Sequence, residues 1–472
     1  MGGSRRILVA VVAAGIAAVV LWSVFGGRRE PPAASAPGVA RSVTPPRAVL
    51  GAGSCSSSGC HAAAIDGHAA WQSAYTVWAS RDRHARAYEV LHDPLARQIV
   101  AALAARHPGR PHPPAHENNA CLGCHATQRQ TALADGVSCE SCHGPAGDWL
   151  VAHTLPGWKT KGNTLGMVDL ADPFVCAQQC GQCHIGGPAA PDGALHEVSH
   201  DLIAAGHPRL TFELRSFKQA EPPHWRDRFA AGSEAGPLSE WALGRLGGLE
   251  AALAQVASQA TVTDRKPAGQ KDSADTAGVW PEFTAFECYG CHRPPIASLD
   301  RTPPGTAAAG RVRGSPRVDP MIWSLLGVIL PEGAARAIDA TREDLETDWW
   351  LPPSQATIDN CRREIAQARP SVGGRLAAVA PATLARQVIA GVDFARWDEA
   401  VSATRALTAI VDQLAATRDT TDARQRLERI RRLLEFREAT VGGRQVRFDS
   451  PHGYDAARVR TELEAVIPTL AR

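Results

Sequence analysis

Apolar residues in this 472-residue chain follow three successive patterns, each predicting a different kind of element. The first is a continuous run from Ile7 to Phe25, led by Arg5 and Arg6. At about 1.5 Å per residue it can cross most or all of a hydrocarbon core of roughly 30 Å, so residues 1–26 are predicted to be a signal peptide or a signal anchor. The one nearby small-x-small pattern, Ala34-Ser35-Ala36, lies well past the run and is followed by Pro37, which favours an uncleaved membrane anchor. Residues 27–50 are rich in Pro, Ala, Ser and Gly and predict an extended tether.

The second pattern, over residues 51–299, is broken. Trp71, Tyr75, Trp78, Ala85, Tyr88 and Leu91 recur largely at helical intervals and predict one or two helices over 69–91. Beyond them glycine and proline interrupt nearly every apolar run, so short helices and irregular connections are expected. An amphipathic helix is predicted over Leu238 to Ala257, then a polar loop from Thr261 to Gly278. A Pro/Gly-rich boundary at 300–316 opens the third pattern, which is helical throughout 317–472. Trp397, Val401, Leu407, Val411 and Leu414 form one stripe there, and Leu427, Ile430 and Leu434 another.

Composition narrows the function. Fifty Lys and Arg against 48 Asp and Glu leave a net charge of +2 with no long basic run, which argues against a nucleic-acid partner. Twelve cysteines are the unusual feature. Ten of them fall into a repeated pattern: Cys121-Leu-Gly-Cys124-His125, Cys139-Glu-Ser-Cys142-His143, Cys180-Gly-Gln-Cys183-His184, Cys288-Tyr-Gly-Cys291-His292 and, with a longer spacer, Cys55-Ser-Ser-Ser-Gly-Cys60-His61. Chance placement at this composition gives on the order of 0.01 matches to the tight form.

Two thiols so spaced form thioethers to the vinyl groups of a porphyrin, and the next residue falls under the iron. Zinc recruits Cys-x-x-Cys pairs two at a time and needs no histidine directly after each. A disulfide framework leaves the repeated histidine unexplained. The expectation is therefore five covalently attached c-type haems, with Cys55, Cys60, Cys121, Cys124, Cys139, Cys142, Cys180, Cys183, Cys288 and Cys291 as attachment points and His61, His125, His143, His184 and His292 as proximal ligands. Maturation of such haems belongs outside the cytoplasm, which puts the chain on the periplasmic side of a bacterial inner membrane, with redox proteins as partners.

The second axial ligand decides between carrier and catalyst. Three methionines, Met1, Met167 and Met321, are too few for general His/Met ligation, whereas twelve histidines lie outside the motifs. Bis-histidine ligation is expected, with His84, His153, His200 and His207 as distal ligands and His116 and His224 as further candidates. His68, His92, His107, His112, His196 and His452 are read as non-ligands. Cys176 and Cys361 stand outside the motifs, either bridged to each other or buried separately.

The segment from Gly51 to Gly186 resembles the multihaem cytochromes of the cytochrome c-554 type, a family that includes electron acceptors in ammonia oxidation. The resemblance rests on the Cys55–His61 motif followed by a tryptophan and His84, on Asn119-Ala-Cys121-Leu-Gly-Cys124-His125, on Gly136-Val-Ser-Cys139-Glu-Ser-Cys142-His143-Gly-Pro145 with His153 ten residues after His143, and on the Cys180 motif. It implies a mainly helical fold with closely stacked haem pairs, and a distal-ligand role for His84 and His153. A fifth motif, the predicted anchor and the long C-terminus depart from the family. The absence of a Cys-x-x-Cys-Lys site makes pentahaem nitrite reductases a poor match. The expected fold class is mainly α with much irregular structure: a multihaem cytochrome c domain over 51–299 plus an all-helical C-terminal domain over 317–472, read as a packing or docking module. The expected function is electron transfer. The alternative is an oxidoreductase in which one five-coordinate haem acts on a small nitrogen or sulfur compound.

Overall fold

The computed structural model describes residues 47–127, 132–158, 162–187, 196, 198–209, 211–224, 236–263, 280–292, 315–436, 438–441, 444–447, 451 and 453–471. The predicted anchor, nearly all of the tether, most of the polar loop, most of the 300–316 boundary and His452 lie outside these residues. Among the described residues no helix is long and apolar enough to cross a membrane.

Helices begin where the sequence supplies caps. Helix α1 (Ala74–Arg81) stops at Asp82, whose extended backbone and side-chain oxygen start a 3-10 turn, Arg83–Arg86. A second 3-10 turn, Glu89–His92, follows. The stretch 69–91 is thus one helix and two tight turns, because the Asp82 carboxylate takes the His84 amide that a longer helix would need. Helix α2 (Pro94–Arg106) opens on proline, α3 (Asn119–His125) on an Asn118 cap, and α4 (Cys139–His143) is a single turn. Helix α5 (Pro173–His184) combines an Asp172 cap with proline at its first position. Helices α3, α4 and α5 each end on a motif histidine, so in each the two cysteines share one helical turn. Short helices α6 (His200–Ala204) and α7 (Leu214–Ala220) follow, capped by Ser199 and Glu213.

Helix α8 (Pro237–Thr263) is the central element. The amphipathic helix predicted here is instead buried nearly all round: Trp241, Ala242, Leu246, Leu249 and Leu253 are at most 1 % exposed, and Glu240, Arg245 and Gln255 are buried as well. Small residues allow this. A Cβ at Gly247 would lie 2.3 Å from the Phe174 carbonyl oxygen of α5, and one at Gly181 of α5 would lie 2.7 Å from the Ala251 Cβ, so both glycines are needed for the two helices to touch. Each fully buried leucine contributes about 1.5–3 kcal/mol.

Beyond α9 (Cys288–Cys291) the chain continues as α10 (Pro320–Trp323), α11 (Glu332–Thr347), α12 (Gln355–Ala368), α13 (Pro381–Ala390), α14 (Trp397–Leu414) and α15 (Thr421–Leu434). The predicted stripes are the inner faces of the last two: Leu407, Val411 and Ile430 are fully buried. The region is not all-helical. Strands β1 (Glu438–Val441) and β2 (Arg444–Arg447) pair antiparallel, Glu438 opposite Arg447, before α16 (Ala456–Glu464).

One apolar cluster joins Phe174 of α5, the length of α8, Trp280 and Phe286 ahead of the fifth motif, and the C-terminal helices. Residues 47–472 form a single compact unit.

Candidate functional site

The five Cys-His motifs lie close together. Those starting at Cys121, Cys139 and Cys180 end helices α3, α4 and α5, that starting at Cys288 forms α9 and its cap, and the Cys55 motif wraps a turn in which the Cys60 and His61 amides donate to Ser57 O at 2.9 and 3.0 Å. Thiols from different motifs touch: Cys139 donates to Cys55, and Cys183 interacts with Cys124. The first motif is therefore beside the third and the second beside the fourth. Gln179 Nε2 donates to Ser141 O at 2.5 Å and couples the third motif to the fourth. A cavity of about 50 Å³ lined by His184, Arg209, Phe212, Trp280, Phe286 and Cys288 lies between the fourth and the fifth.

Histidine pairs give the site its chemistry. His61 faces His153 with ring centroids 6.2 Å apart and an interplanar angle of 16°. His184 faces His84 at 6.1 Å and 82°, His125 faces His207 at 6.4 Å and 89°, and His292 faces His200 at 6.1 Å and 29°. A ligating nitrogen lies about 2 Å from its metal and about 1 Å from its own ring centroid, so two imidazoles on opposite sides of one iron have centroids about 6 Å apart. Each of the four pairs joins a motif histidine to one of the four histidines predicted as distal. The donor set fits c-type haem.

The ring orientations fit as well. Nδ1 of His61 contacts Trp71 O at 2.6 Å, that of His125 Ala87 O at 2.7 Å, that of His153 Leu150 O at 2.5 Å, and that of His207 Pro208 O at 2.9 Å. A proton on Nδ1 directed at a carbonyl leaves Nε2 as the free lone pair for a metal. Nδ1 of His84 meets the Asp82 carboxylate at 3.0 Å instead, which raises its pKa. Its partner His184 is held by aromatic rings, Phe212 stacked at 6.1 Å and Phe217 edge-on at 4.8 Å. Burial lowers the pKa of His125 and of His207, and pushes that of His184 down to about 4, which favours the neutral imidazole, the form that can bind a metal.

The third motif differs. Burial, with His224 the first of its charged neighbours, pushes His143 down to about 4, yet among the described residues no ring faces it at the 6 Å spacing. His224, a further candidate in the sequence because Trp225 follows it, is thus a neighbour of the third motif. His116, the other further candidate, stacks on His92 at 4.2 Å and 24°, too close for an iron between them. His107 Nε2 contacts Asp201 at 2.9 Å, which accounts for it without a metal. Met321 is buried, with the Ser402 hydroxyl 3.7 Å from its sulfur. Cys176 and Cys361 are both buried and not bridged to each other, the first interacting with Cys180 and the second with Thr341.

The glutamate inside the third motif ties the region together. Glu140, 4 % exposed, accepts from the amides of Leu50 at 3.0 Å, Gly51 at 2.8 Å and Ala146 at 2.7 Å, while Asp135 accepts from Ala52 at 3.1 Å. These bonds fix the lead-in to Cys55 against α4.

No curated protein and no solved structure matches the chain. Residues 55–144, which hold the first three motifs, match the family model described as cytochrome c554 and c-prime, so this segment is similar to c-type cytochromes, a likeness that implies covalently bound haem and electron transfer.

Proposed function

We propose that the protein is a membrane-anchored pentahaem c-type cytochrome on the periplasmic side of a bacterial inner membrane, passing single electrons between redox proteins through haems ligated mostly by two histidines. The observation that carries this reading is the set of four histidine pairs at 6.1–6.4 Å, each containing one motif histidine. Bound at these residues, haem supplies the reversible one-electron chemistry of its iron. The chain would supply attachment through ten cysteines and two imidazoles per iron at four positions. Contacts between the first and third, second and fourth, and third and fourth motifs, and the cavity between the fourth and fifth, support a continuous relay. The apolar run at 7–25 supports the anchor. Haemochrome assay with intact mass on the matured chain tests the reading: five haems are expected, and zinc or colourless protein overturns it.

A second reading has one specific observation behind it. Among the described residues His143 faces no ring at ligand spacing, so the third iron is where an open position would lie and a small nitrogen or sulfur compound would react. A high-spin component that shifts with nitric oxide or hydroxylamine supports this reading; wholly low-spin spectra overturn it.

A further inference from the structure

Of the nine histidines in motifs or predicted as distal, His84 is the one whose Nδ1 meets a carboxylate among the described residues. Asp82 Oδ1 lies 3.0 Å from His84 Nδ1 and also accepts from the His84 amide at 2.9 Å, so the carboxylate is locked to this ring by two bonds. Its side chain is 6 % exposed. Glu221 adds a second acidic group: one oxygen each of Asp82 and Glu221 and a ring nitrogen of His84 all lie within 4.8 Å of one another. Elsewhere the corresponding contact, where the structure records one, is a backbone carbonyl, a neutral dipole.

A carboxylate on Nδ1 draws the proton away from the ring and gives the opposite nitrogen imidazolate character, which makes it a stronger donor to iron. A stronger donor, and negative charge held in a low-dielectric site, favour ferric over ferrous iron. We propose that Asp82 is a positioning and tuning residue that makes the haem held between His84 and His184 the lowest-potential member of the set. The electron pair on the carboxylate stays where it is; the effect is a bias on a one-electron couple, with no bond made or broken.

This inference rests on the haem reading above, and the test separates the two. Full-length matured protein is titrated potentiometrically with optical and electron paramagnetic resonance detection, as wild type, Asp82→Asn, Glu221→Gln and His84→Ala. His84→Ala identifies the component, by turning one low-spin haem high-spin. In Asp82→Asn that same component is expected to be the lowest of the wild-type set and to become about tenfold easier to reduce, about 59 mV for a one-electron couple, while haem content stays the same. Glu221→Gln, which leaves the Asp82–His84 bond intact, is expected to move the same component upward by less, and keeps the test open if Asp82→Asn matures poorly. Unmoved potentials with haem content retained, or a shift in some other component, overturn the inference. Absence of haem overturns the functional reading instead.

Discussion

Glu140 accepts a hydrogen bond from the Gly51 amide at 2.8 Å, so a residue inside one Cys-His motif holds the backbone that leads into another. The same carboxylate serves Leu50 and Ala146. Glu140→Ala leaves those amides without their acceptor, and at about 1–3 kcal/mol for each buried unsatisfied donor the loss should be on the order of 3 kcal/mol or more. Thermal unfolding of the matured protein checks this. Glu140→Gln, which keeps an acceptor oxygen, should lose less, and equal midpoints for the two variants would count against the assignment.

The α5–α8 contact makes a sharper structural prediction. Gly247→Ala puts a methyl carbon 2.3 Å from Phe174 O, so α5, which carries Cys180, Cys183 and His184, has to shift. Overpacking of this kind costs about 1–3 kcal/mol. Gly333→Ala in α11, where no atom lies within 4 Å of the new carbon, should instead stabilise by about 0.5–1 kcal/mol. Opposite signs in the two midpoints are expected, with only the first variant altering the haem spectrum.

His224→Ala tests the third motif. If His224 is the sixth ligand opposite His143, wild type is wholly low-spin and the variant gains one high-spin haem. A high-spin component already present in wild type and unchanged in the variant would favour the catalytic reading.

Asp398 predicts a pH dependence. It is fully buried, lies 3.6 Å from Arg209, and burial lifts its pKa from 3.8 to about 7. An acid with a raised native pKa binds its proton more tightly folded than unfolded, so its contribution to stability is largest below about 4 and is lost as pH rises towards 7. Asp398→Asn, which mimics the protonated side chain, should match wild type near pH 4 and exceed it near pH 8, by on the order of a few kcal/mol. Midpoints that run parallel with pH would sink this.

What could be read along the chain is what is written contiguously. The five Cys-His motifs are local, because the two cysteines and the histidine of each lie within a few residues of one another. Their mutual arrangement is not: His61 and His153, or His84 and His184, are far apart in sequence and meet only after folding. Helix α8 was underread for a related reason. Gly244, Gly247 and Ala251 look like a weak helix face, yet they are positions where α7 and α5 come close. The C-terminal stripes on α14 and α15 are legible because their large apolar residues recur at helical spacing, whereas the β1–β2 hairpin is a short segment between two helices.

Helix α8 contributes one side to the helix that ends in His184 and another to α14, so the largest apolar cluster of the molecule is shared between the fourth motif and the C-terminal helices, beside the smaller cluster of Leu91, Ala96, Ala115, Leu122 and Ala126. Scanning calorimetry on the complete protein should then record one cooperative peak for residues 47–472. A fragment ending near Pro316 should be sticky and prone to precipitate, since it would bare the leucines that α14 normally shields.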